Sequence, residues 1–266
     1  MRPSPSSPAL PGQTSQPGTA GRVSVIMPAY NAAATIVRSM ASVLSQSHGD
    51  LELVVVDDCS RDATWSLIEQ AAQCDPRVLP VRQRSNQGVA AARNAGIEAA
   101  SGAFISFLDS DDTWHPYKLA RQLRHLQSTG AKISYAAYRR VDDCGRTLSI
   151  VRPPARIGYA DMLKSNRIGN LTGMYDRTLG DARFERIGHE DYVFWLRMVR
   201  KAGEALRLPD PSPVADYLVR DGSLSGNKLR AARWQWRIYR DVERLGAVAS
   251  GWYFAHYAGN AILKRQ

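Results

Sequence analysis

The stretch Phe107-Leu108-Asp109-Ser110-Asp111-Asp112-Thr113-Trp114 sets carboxylates at alternate and adjacent positions directly after an apolar run. Three kinds of chemistry use such a pattern. The first aspartate can attack phosphorus, a pair can hold a divalent cation against a diphosphate, or the acidic run can cap a helix starting near Pro116. A second pair, Asp57-Asp58, follows another apolar run, and Glu190-Asp191 follows Gly188-His189 further along. Carboxylates gathered on one edge repel one another unless a cation or a set of hydrogen-bond donors faces them.

The elements that must position these residues follow from the apolar pattern. Strands are expected over Val23–Met27, 51–56, 77–81 and 103–108, and helices over 33–46, 62–73 and 89–100. Short apolar runs alternating with helical patterns predict βαβ units and an α/β fold built on a mostly parallel sheet. Ligands of such sheets sit beyond the carboxyl ends of the strands. That rule selects Pro28, Ala29, Tyr30 and Asn31 after the first strand, Asp57 and Asp58 after the second, and Asp109 to Asp112 after the fourth. A helix to about Gln127, a strand over 132–138 and a strand–turn–strand around Asp143-Cys144-Gly145 are expected next.

Bulk composition narrows the class. With 266 residues, 44% hydrophobic and 23% charged, one catalytic domain with short appendages is expected. Cys59, Cys74 and Cys144 form no CxxC pair, which argues against a disulfide framework or zinc site and suits a reducing cytosol. No run approaches the ~20 apolar residues that span a bilayer, and no secretion signal is seen, so a soluble cytoplasmic protein is expected. Residues 1–21, rich in Pro, Ser, Gly and Thr, read as a disordered tail.

Net charge is +10, and residues 226–266 alone carry eight basic against two acidic side chains. Such an end suits an anionic partner: phosphate, acidic lipid or nucleic acid. Arg230, Arg233, Arg237, Arg240 and Arg244 form one helical stripe beside another of Ala231, Trp234, Ile238, Val242 and Leu245. The apolar stripe either packs on the domain with the arginines solvated, or lies on anionic lipid; Trp252, Tyr253, Phe254 and Tyr257 suit both.

The letters LDSDDT also fit the DxDx[TV] motif of haloacid-dehalogenase-like phosphatases. Here, however, three βα units precede it and no GDxxxD follows. A simple cap would leave Asp57-Asp58 unexplained. The segments VSVIMPAYNAAATIVRSMASVLSQ, LELVVVDDCSRDATWSLI and NQGVAAARNAGIEAASGAFISFLDSDDTWHPYKL closely resemble the nucleotide-sugar-binding half of family 2 inverting glycosyltransferases, from Val23 to about Leu126. GHEDYVFWLRM (188–198) resembles the family's Glu-Asp motif, and YLVRDGSLSGNKLRAARWQWRIYR (217–240) its C-terminal loop and helix.

That resemblance implies a GT-A fold with a helical C-terminal extension, divided into residues 22–225 and a basic, aromatic segment over 226–266. Residues 22–127 would bind the nucleotide sugar and 128–225 the acceptor. It implies Mn²⁺ or Mg²⁺ on Asp111, supported by Asp109, and a nucleoside around Pro28, Ala29, Tyr30, Asn31, Asp57 and Asp58. Tyr30 would lie against the base and Asp58 would accept a hydrogen bond from it. Arg93, Asp109 and Ser110 fall on the donor side, although a solvated helix arginine is the plainer reading of Arg93. Asp191 matches the catalytic carboxylate, with Glu190 as the alternative, while Phe194 and Trp195 read as core.

The expected partners are a nucleotide sugar, a UDP-sugar first among them, and a glycan or lipid-linked acceptor. Peripheral membrane contact through residues 227–257 is a further expectation, and nucleic acid is not expected. The family commonly has Arg directly after the Tyr of the C-terminal loop. This chain has Leu218 there, which leaves Arg220 as the candidate phosphate contact. A sugar nucleotidyltransferase would instead show a Gly-rich basic loop in place of Pro28-Ala29-Tyr30-Asn31. A catalytically silent homologue that holds a nucleotide sugar or a partner is the binding-module alternative, and the intact acidic motifs speak against it.

Overall fold

Every residue of Val23–Ala29 (β1) and Leu51–Asp57 (β2) is buried, as strands covered on both faces must be. With Val78–Arg82 (β3) and Phe104–Phe107 (β4) they form a parallel quartet in the order β3-β2-β1-β4. The crossovers run through Ile36–Leu44 (α1), Thr64–Cys74 (α2) and Val89–Ala99 (α3). Val23, Val25 and Met27 of β1 enter one core cluster and Ile26 enters the other, the period of two that a covered strand requires. On α1, Ile36, Met40 and Val43 bury one face into the first cluster. Each such side chain contributes roughly 1.5–3 kcal/mol.

The structure is a computed structural model that describes residues 21–180, 183–219 and 228–263. Nearly all of the expected N-terminal tail, and Arg220, therefore lie outside the described residues. Beyond β4 the sheet continues through Met174–Asp176 (β10), Ile133–Tyr135 (β6), Glu204–Arg207 (β11) and Arg156–Gly158 (β9), giving eight strands. A four-stranded sheet in the order β5-β12-β7-β8 comprises Thr113–Trp114 (β5), Ala215–Leu218 (β12), Tyr138–Val141 (β7) and Thr147–Val151 (β8). Lys118–Thr129 (α4), Tyr159–Lys164 (α5) and Glu190–Ala202 (α6) complete the helices before the C-terminal segment.

One expected element divides. The run 132–138 is not a single strand: Ile133–Tyr135 pairs in the large sheet, and Tyr138 opens β7 in the small one. Ala136 and Ala137, both fully buried, carry the chain across. No turn residue marks the passage, so an apolar pattern cannot reveal it.

At the C-terminus, Lys228–Arg237 (α7) continues through one wider turn, Ile238–Val242, before Ala247–Leu263 (α8). Ile238 and Tyr239 are buried, and Val242, Leu245, Tyr253 and Phe254 pack against the second core cluster. Tyr239 donates its hydroxyl to the Leu163 carbonyl at 2.5 Å, fixing this segment to α5. The expected apolar stripe thus faces the domain, while Arg233, Arg237, Arg240 and Arg244 are exposed. Among the described residues no helix is long and apolar enough to cross a membrane.

Candidate active site

The turns at the carboxyl ends of β1 and β2 are stitched together. Asn31 adopts a left-handed conformation (φ 48°), which a short polar side chain tolerates. Its N–H donates to Ser60 Oγ at 3.0 Å, and its Oδ1 accepts the Arg61 N–H at 2.9 Å. The Ala32 N–H donates to Thr64 Oγ1 at 2.7 Å. Pro28 and Ala29 are buried, while Tyr30 is 45% exposed at the rim.

The five aspartates expected to repel one another meet different fates. Asp57 is fully buried; it accepts the Ser60 N–H and lies 3.5 Å from Arg82. Asp58 accepts the Gln87 and Gly88 N–H groups, one on each oxygen, at 2.7 and 2.8 Å. The entry to α3, with Gly88 at φ 86°, thereby hangs on Asp58. Backbone N–H donors, with the Arg82 guanidinium beside Asp57, face this first pair.

After β4, Asp109 accepts a hydrogen bond from Arg93 Nη2 at 2.7 Å. Arg93 is only 6% exposed, with its guanidinium 5.2 Å from the Phe184 ring, so it is not a solvated helix arginine. Burial opposes its charge, but Asp109, followed by Asp191 and Glu190, outweighs that and raises its pKa. Ser110 and Asp111 are partly exposed, and Arg38 donates to the Asp111 carbonyl at 3.3 Å. Asp112 is buried and accepts the Leu218 N–H at 2.9 Å. Burial, then Asp109 and Asp111, push the Asp112 carboxyl well above the usual range. Leu218 contributes its backbone N–H to this tether.

Glu190 and Asp191 open α6, where carboxylates favour the helix N-terminus. They are aimed by two successive left-handed residues, Gly188 (φ 78°) and His189 (φ 51°). A side chain at 188 would put its Cβ 2.4 Å from the Trp234 ring, so only glycine lets α7 close over this turn. Asn166 Nδ2 donates to Asp191 Oδ2 at 3.3 Å. Phe194 and Trp195 are fully buried.

Arg93, Asp109, Asp112, Glu190 and Asp191 line one cavity of about 600 Å³, with Tyr138 and Tyr217 from the small sheet in its wall. Tyr30, Asn31, Asp57, Asp58, Ser110 and Asp111 do not line it; they stand at the same carboxyl edge of the sheet, after β1, β2 and β4. Three wall residues each keep a buried nitrogen without a hydrogen-bond partner: Arg93 Nε, Asn170 Nδ2 and His189 Nε2. Unpaired buried polar groups are costly, so such a wall suits a hydroxyl-rich ligand. Asn170 carried no sequence signal; its Oδ1 accepts the Trp195 indole N–H at 3.1 Å. A smaller cavity of about 250 Å³ shares Asn166, His189 and Asp191 and is backed by Gln235 and Tyr257 of the C-terminal helices.

Asp109 and Asp111 offer partly exposed, oxygen-only donors, the set that Mg²⁺ or Mn²⁺ takes. Among the described residues no group of three His, Cys, Asp or Glu could hold a metal unaided. A cation held by these two carboxylates would take its remaining ligands from elsewhere, such as substrate oxygens or water.

The model of the glycosyl transferase family 2 matches residues 24–201. The chain belongs to that family. TuaG of Bacillus subtilis (strain 168), a glycosyltransferase named for teichuronic acid biosynthesis, is 37% identical over 246 residues, 91% of this chain and 97% of that protein. WfaP of Escherichia coli, a UDP-Glc:α-D-GlcNAc-diphosphoundecaprenol β-1,3-glucosyltransferase, is 33% identical over 223 residues, 83% of this chain and 86% of that protein.

Two solved structures are similar in fold. Staphylococcus aureus TarS with UDP-GlcNAc has a TM-score of 0.70 at 20% identity, covering 89% of this chain and 71% of TarS. The Pyrobaculum calidifontis mannosyltransferase PcManGT, with GDP-Man and Mn²⁺, has 0.66 at 20%, covering 90% and 73%. This family 2 glycosyltransferase therefore has the expected GT-A fold, and the phosphatase and nucleotidyltransferase readings fall away.

Proposed function

We propose that this family 2 glycosyltransferase moves a sugar, with inversion, from a nucleoside-diphosphate sugar to a hydroxyl of a glycan or lipid-linked acceptor in cell-surface polysaccharide assembly. A UDP-sugar is the first candidate donor. The observation that carries the reading is the cavity joining the Arg93–Asp109 pair to Glu190-Asp191. WfaP, by its name, acts from UDP-Glc on a diphosphoundecaprenol-linked sugar, which supports a lipid-linked acceptor.

In this reading residues 22–127 hold the donor and 128–225 the acceptor. Tyr30 lies against the base, with Pro28, Ala29, Asn31 and Asp57 shaping its seat. Asp58 accepts from the base with lone pairs left over from Gln87 and Gly88. Asp109 holds the ribose and keeps Arg93 beside the donor; Ser110 borders the same turn, and Arg220 contacts phosphate. Asp111, with Asp109, would hold Mn²⁺ or Mg²⁺, which when bound offsets charge on the departing diphosphate. Asp191 takes the acceptor proton as the new oxygen–carbon bond forms and the carbon–diphosphate bond breaks. Asn166 fixes the carboxylate's orientation, and Glu190 adds negative charge facing the Arg93 guanidinium.

The test is a panel of nucleotide sugars with Mn²⁺ or Mg²⁺ and a polyprenyl-diphosphate-linked sugar, followed by mass spectrometry of products. Asp111→Ala should abolish metal-dependent donor binding. Asp191→Asn should keep donor affinity and lose roughly 10³-fold in transfer, within the usual range for a general base. Full transfer by Asp191→Asn would refute the base assignment. Donor binding by the wild-type chain without transfer to any acceptor would favour the silent homologue.

A further inference from the structure

We propose that the outward face of α7 and α8 is a docking surface for an anionic lipid bilayer. Helix α8 spans seventeen residues without a single Asp, Glu, Lys or Arg. One side of it packs inward through Tyr253 and Phe254. The other side is left bare: Val248 is 90% exposed and Trp252 63%, and the small residues Gly251, Ala255 and Ala258 are also exposed. At spacings of three and four these positions form one stripe. A helix face turned to water is ordinarily polar, so an apolar stripe with a protruding Trp marks a contact surface.

The neighbouring helix supplies the charge. Arg233, Arg237, Arg240 and Arg244 recur at spacings of four, three and four and are all exposed. Trp236 is 41% exposed, and its ring lies 5.7 Å from that of Phe254, joining the arginine row to α8. Of the two acidic residues nearby, Glu243 is turned in towards Arg200 and Tyr159. Only Asp241 stands among the arginines, 3.5 Å from Arg237. An uncharged, largely apolar helix beside a basic row with exposed tryptophans is the chemistry that anionic headgroups recognise. A second copy of a chain with net charge +10 is a poorer match for that row.

Placement relative to the cavities adds to the argument. Gln235 of α7 and Tyr257 of α8 line the smaller cavity that shares Asp191. The helices that would meet lipid are thus the ones that wall the carboxylate's surroundings. The docking surface itself does not depend on which sugar is moved.

Co-sedimentation of the full chain with phosphatidylglycerol-containing vesicles at low salt tests this. Binding is expected, with little to pure phosphatidylcholine vesicles. Val248→Glu/Trp252→Glu and Arg233→Glu/Arg237→Glu should each cut partitioning by about tenfold or more. Because all four side chains are exposed, melting temperatures should stay close to wild type. No wild-type binding, or equal binding by both variants, would overturn the proposal. So would a dimer, seen by light scattering, that Val248→Glu/Trp252→Glu dissolves without any effect on vesicles; that result assigns the face to a second copy. Since sedimentation does not read transfer, its outcome is separable from the proposed activity.

Discussion

Replacing Gly188 by Ala probes how Glu190 and Asp191 are aimed. Two penalties can be worked out. A non-glycine residue in the left-handed region, here φ 78°, costs about 1–2 kcal/mol. The new methyl would also sit 2.4, 2.6 and 2.8 Å from three Trp234 ring atoms, and such overpacking typically costs ~1–3 kcal/mol. Gly188→Ala should therefore destabilise by about 3 kcal/mol. Trp234→Ala alone removes a half-buried ring, at about 2 kcal/mol. In the double variant the collision is gone and only the backbone penalty remains. The two costs should then fall short of additivity by ~2 kcal/mol.

Urea denaturation of the four proteins measures this coupling, and kinetics gives the functional half. If the clash displaces the start of α6 by as little as ~1 Å, transfer should fall by roughly 10²-fold while donor affinity changes little. Additive stabilities, or donor affinity lost as strongly as turnover, would refute the idea that Trp234 and Gly188 together position Asp191.

Arg93→Met removes the partner of Asp109; that carboxylate is about one-third exposed and can hydrate, so stability should fall by only ~2 kcal/mol while transfer drops roughly 100-fold, as read by denaturation and initial rates. Asn170→Ala takes the acceptor from the buried Trp195 indole, so a loss of ~1–2 kcal/mol and a raised KM are expected; an unchanged KM would remove Asn170 from the ligand wall. Asp216 is a pH reporter. Burial opposes its charge, but hydrogen bonds from His115 and then Arg139 outweigh it and bring its pKa down to about 2 from 3.8. A carboxyl depressed on folding stabilises above its unfolded pKa and loses that contribution as pH falls through the folded one. Asp216→Asn should therefore cost about 2 kcal/mol at pH 7, shrinking as pH falls from about 4 to about 2. A pH-independent cost would show that the ion pairs are not its cause.

The parallel quartet was legible because β1, β2 and β4 are short, mostly apolar runs followed by Asn31, Asp57-Asp58 and Asp109 to Asp112. The Glu-Asp motif drew attention to Asp191, which the structure places in the cavity wall. What linear order hides is who meets whom. Nothing near Arg93 in the chain announces that it is buried against Asp109 and Phe184. Ala136-Ala137 gives no sign of a change of sheet, since alanine suits a strand and a buried crossing equally. Asn170 and Asp112 matter through partners 25 and 106 residues away, Trp195 and the Leu218 N–H. The C-terminal stripe pointed the right way, but the wider turn at Ile238–Val242 and the left-handed Arg244 end that helix before α8 begins.

Asn31, Cys59 and His189 are three of the four non-glycine residues with positive φ among the described residues, and each ends a strand or opens a helix at the site. A saturation scan would therefore give these positions a tolerance profile that tracks the backbone instead of reactivity. Glycine and asparagine should survive there and valine or isoleucine should not, whatever the side chain contributes to turnover. Cys59 in particular would score as intolerant to β-branched residues without acting as a nucleophile. Catalytic importance inferred from intolerance alone would be misassigned at all three.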